Sequence, residues 1–216
     1  MVRTLTYDLK DELVAPPRRS ERQPYTVDSL TDIAVPLFIS RGYDATRIEH
    51  IAKAANISQS SLYHHVRGKE DLLKRALERA VSAHWAVLAE PESRDGEAVT
   101  RLVHIMQRLM SEQLRLQPEM ALLHRSRGNN PTEQWAIDEI RQFEDLVSDL
   151  VHQAQAAGKL RTDLDAGLMV HLAFGMTDSV VEWFRPDGTW SHRQVIDTLL
   201  AVMLDGTRSA SNNARN

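Results

Sequence analysis

The sequence predicts an all-α fold, and three observations support that prediction. Apolar residues recur every three or four positions through most of the 216 residues, the spacing that places them on one face of a helix. No segment shows the strict alternation of apolar and polar residues that is typical of a half-buried strand. Gly42, Pro91 and Gly158 stand where three of the helical patterns end, as helix-terminating residues commonly do.

The first predicted helix covers 26–42, with an apolar face at helical spacing and Gly42 at its end. Pro36 lies inside this helix. An interior proline removes one backbone hydrogen bond and costs about 3 kcal/mol. We therefore expect a local bend or a broken turn at Pro36.

The segment 46–73 predicts two short helices separated by a tight turn, followed by the start of a third helix. Thr46 is the predicted cap of the first of these helices, with Glu49 as the reciprocal half of a capping box. Asn56 lies in the turn, where we expect a positive φ that Asn tolerates better than most residues.

Ser58 is the predicted cap of the second short helix, which we expect to extend to a break at Gly68. Leu62 and Val66 are expected to face inward, and the outer face of this helix is polar. Two helices joined by such a turn, the second polar on its exposed side, are the layout of a helix-turn-helix DNA reader.

The same segment resembles the DNA-binding domain of TetR-family transcriptional regulators. The positions that match the family signature in register are Thr46, Ile51, Ala52, Ala55, Ser58, Leu62, Tyr63, His65, Lys69, Glu70 and Leu72. The chain departs from that signature at Asn56, Ser60, Val66 and Gly68. The resemblance implies an N-terminal three-helix helix-turn-helix DNA-binding domain at 26–72 and a C-terminal helical effector-binding and dimerisation domain at 73–208.

The second motif helix is expected to lie in the major groove, where Gln59, Ser60 and Ser61 can reach base edges. The resemblance implies phosphate or sugar contacts for the hydroxyl and cationic residues around it. The predicted DNA-binding residues are Thr46, Arg47, Ser58, Gln59, Ser60, Ser61, Tyr63, His64 and Lys69. The expected partner is a double-stranded, roughly palindromic DNA operator.

The remaining apolar patterns predict further helices. A long helix from Lys69 to about Glu90 would connect the two domains, and a polar break at 91–96 follows it. The later predicted helices lie at 99–114, 119–127, 137–158, 164–183 and from Ser191 onward.

Both ends of the chain lack helical periodicity, so we expect a flexible N-terminal arm at 1–25 and a flexible tail at 209–216. Three arginines stand in the arm just before the first helix: Arg18, Arg19 and Arg22. Two interpretations of them remain open, a solvated tail or an arm that reaches a DNA groove.

Composition excludes several classes of site. The chain has no cysteine, which excludes disulfides and thiolate metal sites. None of its 9 histidines stands four positions from another, so we expect no metal site. We also expect no cofactor, and the lack of a nucleophile or phosphate-loop motif predicts that the protein is not an enzyme and has no catalytic residue.

The net charge of −4 is unevenly distributed. The first 80 residues carry 13 Lys and Arg against 11 Asp and Glu, and the remainder carries 13 against 19. The DNA-reading motif therefore lies in the more basic part. The N-terminus lacks an apolar signal-peptide core, and ionisable residues interrupt the most apolar stretch, 164–184. We expect a cytoplasmic protein with no membrane partner.

The family resemblance implies a homodimer that binds a small-molecule effector. The stretch 164–184 contains small residues suited to close helix packing, but a helix buried inside one subunit would have the same composition. Flexible and aromatic side chains supply a candidate effector site, although each also suits an ordinary core. The predicted effector-binding residues are Met106, Met110, Met120, Phe143, Met169, Met176 and Trp183.

A second resemblance narrows the effector. Residues 158–188 are similar to the C-terminal region of TetR-family repressors of acyl-CoA catabolism, including regulators of steroid and phenylacetate degradation. The shared landmarks are Gly158, Arg161, Asp163, Leu164, Asp165, Val180, Trp183, Arg185, Pro186 and Gly188. An acyl-CoA thioester is thus one candidate effector. Its phosphates would require cations, for which the candidates are Arg101, Arg108, Arg125 and Arg127.

Two alternatives remain open from the sequence. The first is a repressor of an efflux gene that senses a lipophilic drug. The second is a helical enzyme or scaffold with a vestigial helix-turn-helix.

Overall fold

The computed structural model describes residues 25–208, and this part of the chain is built from ten α-helices. The all-α prediction is therefore confirmed. The helices are α1 (Val27–Arg41), α2 (Ile48–Ala55), α3 (Gln59–Tyr63), α4 (Lys69–Ala89), α5 (Pro91–Arg94), α6 (Ala98–Arg115), α7 (Gln117–Arg125), α8 (Pro131–Ala156), α9 (Ala166–Trp183) and α10 (His192–Thr207). Within the predicted flexible segments, positions 1–24 and 209–216 lie outside the described residues, and so do Arg18, Arg19 and Arg22.

The first three helices and the N-terminal half of α4 share one apolar core, in which α1 packs directly against α4. Leu30, Ile51, Leu62 and Leu72 are fully buried there. The hydroxyl of Tyr25 donates a hydrogen bond to the carbonyl of Ala55 at the end of α2. Tyr25 therefore belongs to this domain, and the prediction that the flexible arm includes it is wrong.

Helix α1 begins at a capping box, in which the backbone N–H of Ser29 donates to the Thr26 hydroxyl at 3.1 Å. The helix continues through Pro36 without a broken turn and ends at Gly42, whose φ is +84°. The apolar face of α1, including the buried Phe38, packs on both sides of the proline and offsets the missing hydrogen bond.

The chain is interrupted near both predicted places, but the proline at each lies in the first turn of the next helix rather than between helices. The segment predicted as a polar break contains α5, which has Pro91 in its first turn, and α7 begins at Gln117 with Pro118 in its first turn. Proline is well tolerated there because the N–H groups of a first turn have no intrahelical partner. Helix α8 likewise begins at Pro131, six residues before the predicted apolar stripe, after a side-chain cap by Asn130.

A second core lies between α6, α8, α9 and α10, with Phe143 fully buried at its centre. The Phe143 ring makes edge-to-face contacts with His84, Trp85 and Phe174, with centroids 5.3, 6.1 and 5.9 Å away. Such pairs add to the stabilisation from apolar burial.

No helix in the described region is both long enough and apolar enough to cross a membrane.

The buried ring of His84 makes stability dependent on pH. Burial lowers the pKa of His84 below its ordinary value, although a hydrogen bond of its Nδ1 with the Ala80 carbonyl opposes the shift. The unfolded chain therefore binds a proton that the folded chain does not, so stability is present above about pH 6.5 and falls as the pH is lowered.

We expect His84→Gln to flatten the dependence of the free energy of unfolding on pH between about 5 and 7, where one differential proton changes it by up to about 1.4 kcal/mol per pH unit. Urea denaturation at fixed protein concentration measures this. His152→Gln, a change at an exposed position of α8, is the control and should leave the slope unaltered. Equal slopes in the wild type and His84→Gln would contradict the assignment.

Candidate DNA interface and effector cavity

The turn between α2 and α3 has the predicted backbone. Asn56 adopts φ +55° and ψ +43°, which confirms the expected left-handed conformation. Its N–H donates to the Lys53 carbonyl at 3.1 Å, and the N–H of Ile57 donates to the Ala52 carbonyl at 3.0 Å. These bonds close the end of α2, as glycine-type caps usually do.

Helix α3 is short and firmly capped. The hydroxyl of Ser58 accepts the backbone N–H of Ser61 at 3.0 Å, as predicted, but the helix ends at Tyr63 rather than extending to Gly68. Leu62 is fully buried and Val66 nearly so. Leu62 thereby sets the rotation of α3 about its axis and determines which side chains face solvent.

The polar side chains of α3 point away from this core. Gln59 and Ser60 are exposed, Ser61 is half-buried, and Tyr63 is 54% exposed. His64 follows the helix and is also exposed. Arg47 lies exposed at the N-terminus of α2. These residues are accessible to DNA, and their contacts with it stay predictions.

The structure contradicts the roles predicted for Thr46. Its side chain is fully buried, and its hydroxyl donates to the Gly42 carbonyl at 2.7 Å and lies 3.2 Å from that of Leu37. The N-cap of α2 is Arg47, whose backbone N–H donates to Nδ1 of His50 at 3.1 Å. The predicted cap, the Glu49 capping box and a phosphate contact by the Thr46 hydroxyl are therefore wrong, because this hydroxyl holds the α1–α2 turn.

Lys69 also contacts that turn. Its Nζ donates to the carbonyls of Tyr43 and Asp44 at 2.7 and 3.2 Å and lies 4.2 Å from the centroid of the Tyr43 ring. An ammonium group has three N–H donors, so one remains for a phosphate. Burial, reinforced by Glu70, raises the pKa of Tyr43 to about 12, which keeps this phenol neutral at neutral pH.

A cavity of about 70 Å³ lies within the second domain between α6, α8, α9 and α10. Of the seven predicted effector residues, only Met106 and Met169 line it. The other lining residues are Val99, Leu102, Val103, Val147, Val151, Leu160, Val170, Ala173, Phe174, Leu200, Met203, Leu204 and Thr207. Most are Val and Leu, which helical periodicity alone cannot distinguish from ordinary core residues.

The other five predicted effector residues lie elsewhere. Met110, Met120 and Phe143 are buried in the apolar cores, and Met120 belongs to the core of the DNA-binding domain. Met176 and Trp183 are exposed on α9. These five residues do not line the cavity, and their role in effector binding stays a prediction.

The cavity lining is almost entirely apolar. Its one side-chain hydroxyl, that of Thr207, donates to the Met203 carbonyl at 2.7 Å. No ionisable side chain lines the cavity. A ligand group buried here must therefore be apolar, because a charged or polar group would lose its hydration without compensation.

The four arginines proposed for phosphates do not line this cavity. Arg101 donates to the Ser93 carbonyl at 2.9 Å and Arg108 to Glu90 at 2.9 Å. Arg125 donates to the Ile39 carbonyl at 3.2 Å and Arg127 to that of His124 at 3.0 Å.

Two other cations flank the cavity-lining Leu160 in sequence. Lys159 pairs with Glu97 at 3.5 Å, and Nε of Arg161 donates to Asp163 at 2.7 Å. Neither Lys159 nor Arg161 was predicted from the sequence to bind phosphate, and Arg161 is a landmark of the family resemblance.

Helix α9 exposes an apolar face. Leu168, Leu172 and Met176 recur every four residues and are 55%, 60% and 37% exposed, and Trp183 lies further along the helix. Val202 of α10 is 60% exposed. Contiguous apolar surface of this kind marks an interaction site, so the structure favours packing against a second subunit over burial within one.

One group of side chains in residues 25–208 has spacing compatible with a metal ion: ligand atoms of Glu90, Glu92 and His104 lie within 4.8 Å of one another. Burial acts to raise the pKa of Glu90, but hydrogen bonds from His104 and Arg108 outweigh it and hold that pKa below its ordinary value. Glu90 is thus already paired with Arg108, and the group is an ion-pair network.

We expect Thr46→Val to lower the free energy of unfolding by about 1–3 kcal/mol, because the Gly42 and Leu37 carbonyls lose their hydroxyl partner in a buried site. Chemical denaturation measures the change. Thr100→Val, at an exposed position of α6, is the matched control and should be nearly neutral. If both variants behaved alike, Thr46 would not have the structural role described above.

Comparisons with known proteins agree with this geometry. Residues 30–76 match the model of the tetR family of bacterial regulatory proteins, and residues 95–207 match that of the tetracyclin repressor-like C-terminal domain. The transcriptional repressor KstR2 of Mycolicibacterium smegmatis is 27% identical over 184 residues, which span 83% of this chain and 89% of that protein.

Two solved structures share the fold. SCO3833, a TetR-family member from Streptomyces coelicolor A3, is 41% identical with a TM-score of 0.79, over 88% of this chain and 94% of that one. AibR is 22% identical with a TM-score of 0.70, over 82% and 96%. The two matched models together cover most of the described residues, and the chain belongs to the TetR family of bacterial transcriptional regulators.

Proposed function

We propose that this protein is a dimeric transcriptional repressor that binds a palindromic operator and is released from it by a small-molecule effector. The observation that carries the proposal is α3, where Gln59 and Ser60 face solvent while Leu62 is fully buried beneath them. A helix held by one apolar anchor with a polar outer face fits the major groove. The proposal places the protein in the cytoplasm, where bacterial operator DNA lies.

The exposed residues divide into two roles. Gln59, Ser60 and Ser61 read base edges, since an amide pairs well with adenine and a hydroxyl pairs with several bases. Arg47, Tyr63 and His64 hold the phosphate backbone, and the remaining N–H of Lys69 contributes there. Ser58 contributes by capping α3 rather than by direct contact, because its hydroxyl already bonds with Ser61.

Dimerisation through the exposed α9 face supplies a second copy of the reading helix α3. Two identical readers related by a two-fold axis recognise half-sites spaced by about one helical turn of DNA, or a multiple of it. The operator is therefore expected to be roughly palindromic.

The apolar cavity supports an effector that buries a small apolar group there, and we propose that the effector keeps a polar remainder outside. A short acyl-CoA thioester has both parts. In support, the relative AibR was solved with isovaleryl coenzyme A and operator DNA, although its likeness to this chain extends only to the fold. Lys159 and Arg161 are the cations nearest in sequence to the cavity-lining Leu160 and are our candidates for the phosphates.

The cavity volume limits the size of the acyl group that can be buried. An apolar cavity of about 150 Å³ holds a benzene ring, and this cavity has about half that volume. A short aliphatic chain fits, whereas a steroid ring system would require side chains to move. This chain is thus proposed to prefer smaller acyl groups than a ketosteroid-related ligand.

The cavity lining supports this proposal over the two alternatives. A cationic lipophilic drug would lack a carboxylate partner, since no acidic side chain lines the cavity. The same lining offers no nucleophile or acid–base group other than the Thr207 hydroxyl, which is already bonded. We therefore propose a regulator without enzyme activity and without a cofactor.

We expect Gln59→Ala to change the preference among base substitutions at one position per half-site by about 1–3 kcal/mol. Tyr63→Ala should instead weaken binding to all sequences alike, because a phosphate contact carries no base information. Fluorescence anisotropy against every single-base variant of one half-site measures both. Unchanged base preference in Gln59→Ala would show that the register assigned to α3 is wrong.

We expect isovaleryl-CoA to raise the melting temperature and to weaken operator binding more than either free CoA or a steroid-sized acyl-CoA does. Ala173→Phe should fill the cavity and abolish both responses, while leaving operator affinity without ligand unchanged. Ala89→Phe, exposed at the end of α4, is the matched control. Retained responses in Ala173→Phe would place the ligand elsewhere.

A further inference from the structure

Helix α7 lies between the DNA-binding domain and the helix that carries the exposed apolar face. On the α9 side, Nε2 of Gln117 donates to the carbonyls of Val181 and Phe184 at 2.7 and 3.1 Å. His124 lies 3.2 Å from the carboxylate of Asp178. Gln117 thus bonds one end of α7 to α9, and His124 contacts α9 near the other end.

On its other side α7 is bonded to α1 and α4. Oε1 of Glu119 accepts a hydrogen bond from Nη1 of Arg79 at 3.0 Å, and the same nitrogen donates to Asp32 at 2.7 Å. Nη2 of Arg79 donates to Asp28 at 2.9 Å. One guanidinium on α4 therefore joins two carboxylates of α1 to one carboxylate of α7.

Within this ion-pair group Glu119 and Arg79 are shielded from water, whereas the side chains of Asp28 and Asp32 are 55% and 63% exposed. The side chains of Glu119 and Arg79 are only 11% and 23% exposed. Burial disfavours the charge of Arg79, but hydrogen bonds to Asp32, Asp28 and Glu119 outweigh it and raise the pKa of Arg79 above its ordinary value. A charge-assisted bond in such a site is directional and fixes the relative position of the groups that it joins.

Helix α1 shares one core with α3, because Leu30 and Leu62 belong to the same apolar cluster. A shift of α1 relative to α7 therefore moves α3 as well. Helix α7 also contributes Met120 to this core, and it contacts α9. The position of the reading helix relative to the subunit interface therefore depends on that apolar packing and, for its orientation, on the bond between Glu119 and Arg79.

We propose that Glu119 and Arg79 are positioning residues that set the distance and orientation between the two reading helices of the dimer, and thereby the half-site spacing that the operator must have. This inference rests on the proposed function, since it requires a dimer that reads two half-sites. Neither residue contacts DNA in this assignment. The two residues act through α1 and the core that it shares with α3.

A purely stabilising role has different consequences. Loss of stability would lower the affinity for all operators in parallel. Loss of positioning would leave each reading helix intact. It would relax the preference for one half-site spacing, because the two reading helices of the dimer would then sample several distances from each other.

The test is Glu119→Gln, which removes one charge and keeps the size of the side chain. Its matched control is Arg75→Gln, since Arg75 on α4 binds Asp28 of α1 at 2.9 Å and has no bond to α7. Wild type and variants are titrated with a series of operators in which the preferred half-site spacing, found by selection, is altered by one or two base pairs. Melting temperatures are measured in parallel.

We expect Glu119→Gln to reduce the ratio of affinities for the preferred and altered spacings by at least about fivefold, the lower end of ordinary coupling between sites. The base preference within each half-site should be unchanged, and Arg75→Gln should keep the wild-type ratio. An unaltered ratio in Glu119→Gln, a parallel loss at all spacings, or the same relaxation in Arg75→Gln would overturn the proposal.

Gln117→Ala provides a second variant, because it removes the hydrogen bonds between α7 and the end of α9 and leaves the bond between α7 and α4 intact. It should relax the spacing preference in the same way, and a wild-type ratio there would also overturn the proposal, including when Glu119→Gln fails to fold. Failure of the proposed function is distinguishable, since the wild-type protein would then show no sequence-specific operator binding at any spacing.

Discussion

The structure depends on the burial of one long helix, α4, in two cores at once. Leu72 and Leu77 of its N-terminal half are fully buried in the DNA-binding domain, whereas Val87 near its other end belongs to the core of the second domain. Helices α1, α6, α7 and α8 all pack against it. Because close-packed cores transmit displacement rather than absorb it, α4 cannot shift in one domain without disturbing the other.

The contacts beside α4 differ in chemistry from those around the effector cavity. Around Arg79 the two domains meet through directional ion pairs, while the cavity is lined by apolar side chains whose contacts are non-directional. The ion pairs fix the orientation of α1 relative to α4 and α7, because a bond with fixed geometry has few alternatives.

The misassigned residues show the limits of reading side-chain types from sequence. Thr46 stands at a position that suits a helix cap, yet its hydroxyl points inward because the α1–α2 turn leaves the Gly42 and Leu37 carbonyls needing a donor. Methionine side chains are flexible, and this flexibility suits a core as well as a ligand site. Met120 fills a gap in the first core, whereas Met106 borders the cavity.

Local backbone preferences and helical periodicity were enough to predict the all-α class, the turn at Asn56, the cap at Ser58 and the inward direction of Leu62. Which apolar residues line the cavity, that α9 leaves an apolar face uncovered and that Glu119 meets Arg79 became known only from the packing of the helices. Periodicity specifies which face of a helix is buried but carries no information about the neighbour that buries it. Contacts between residues forty positions apart are set by how the helices pack.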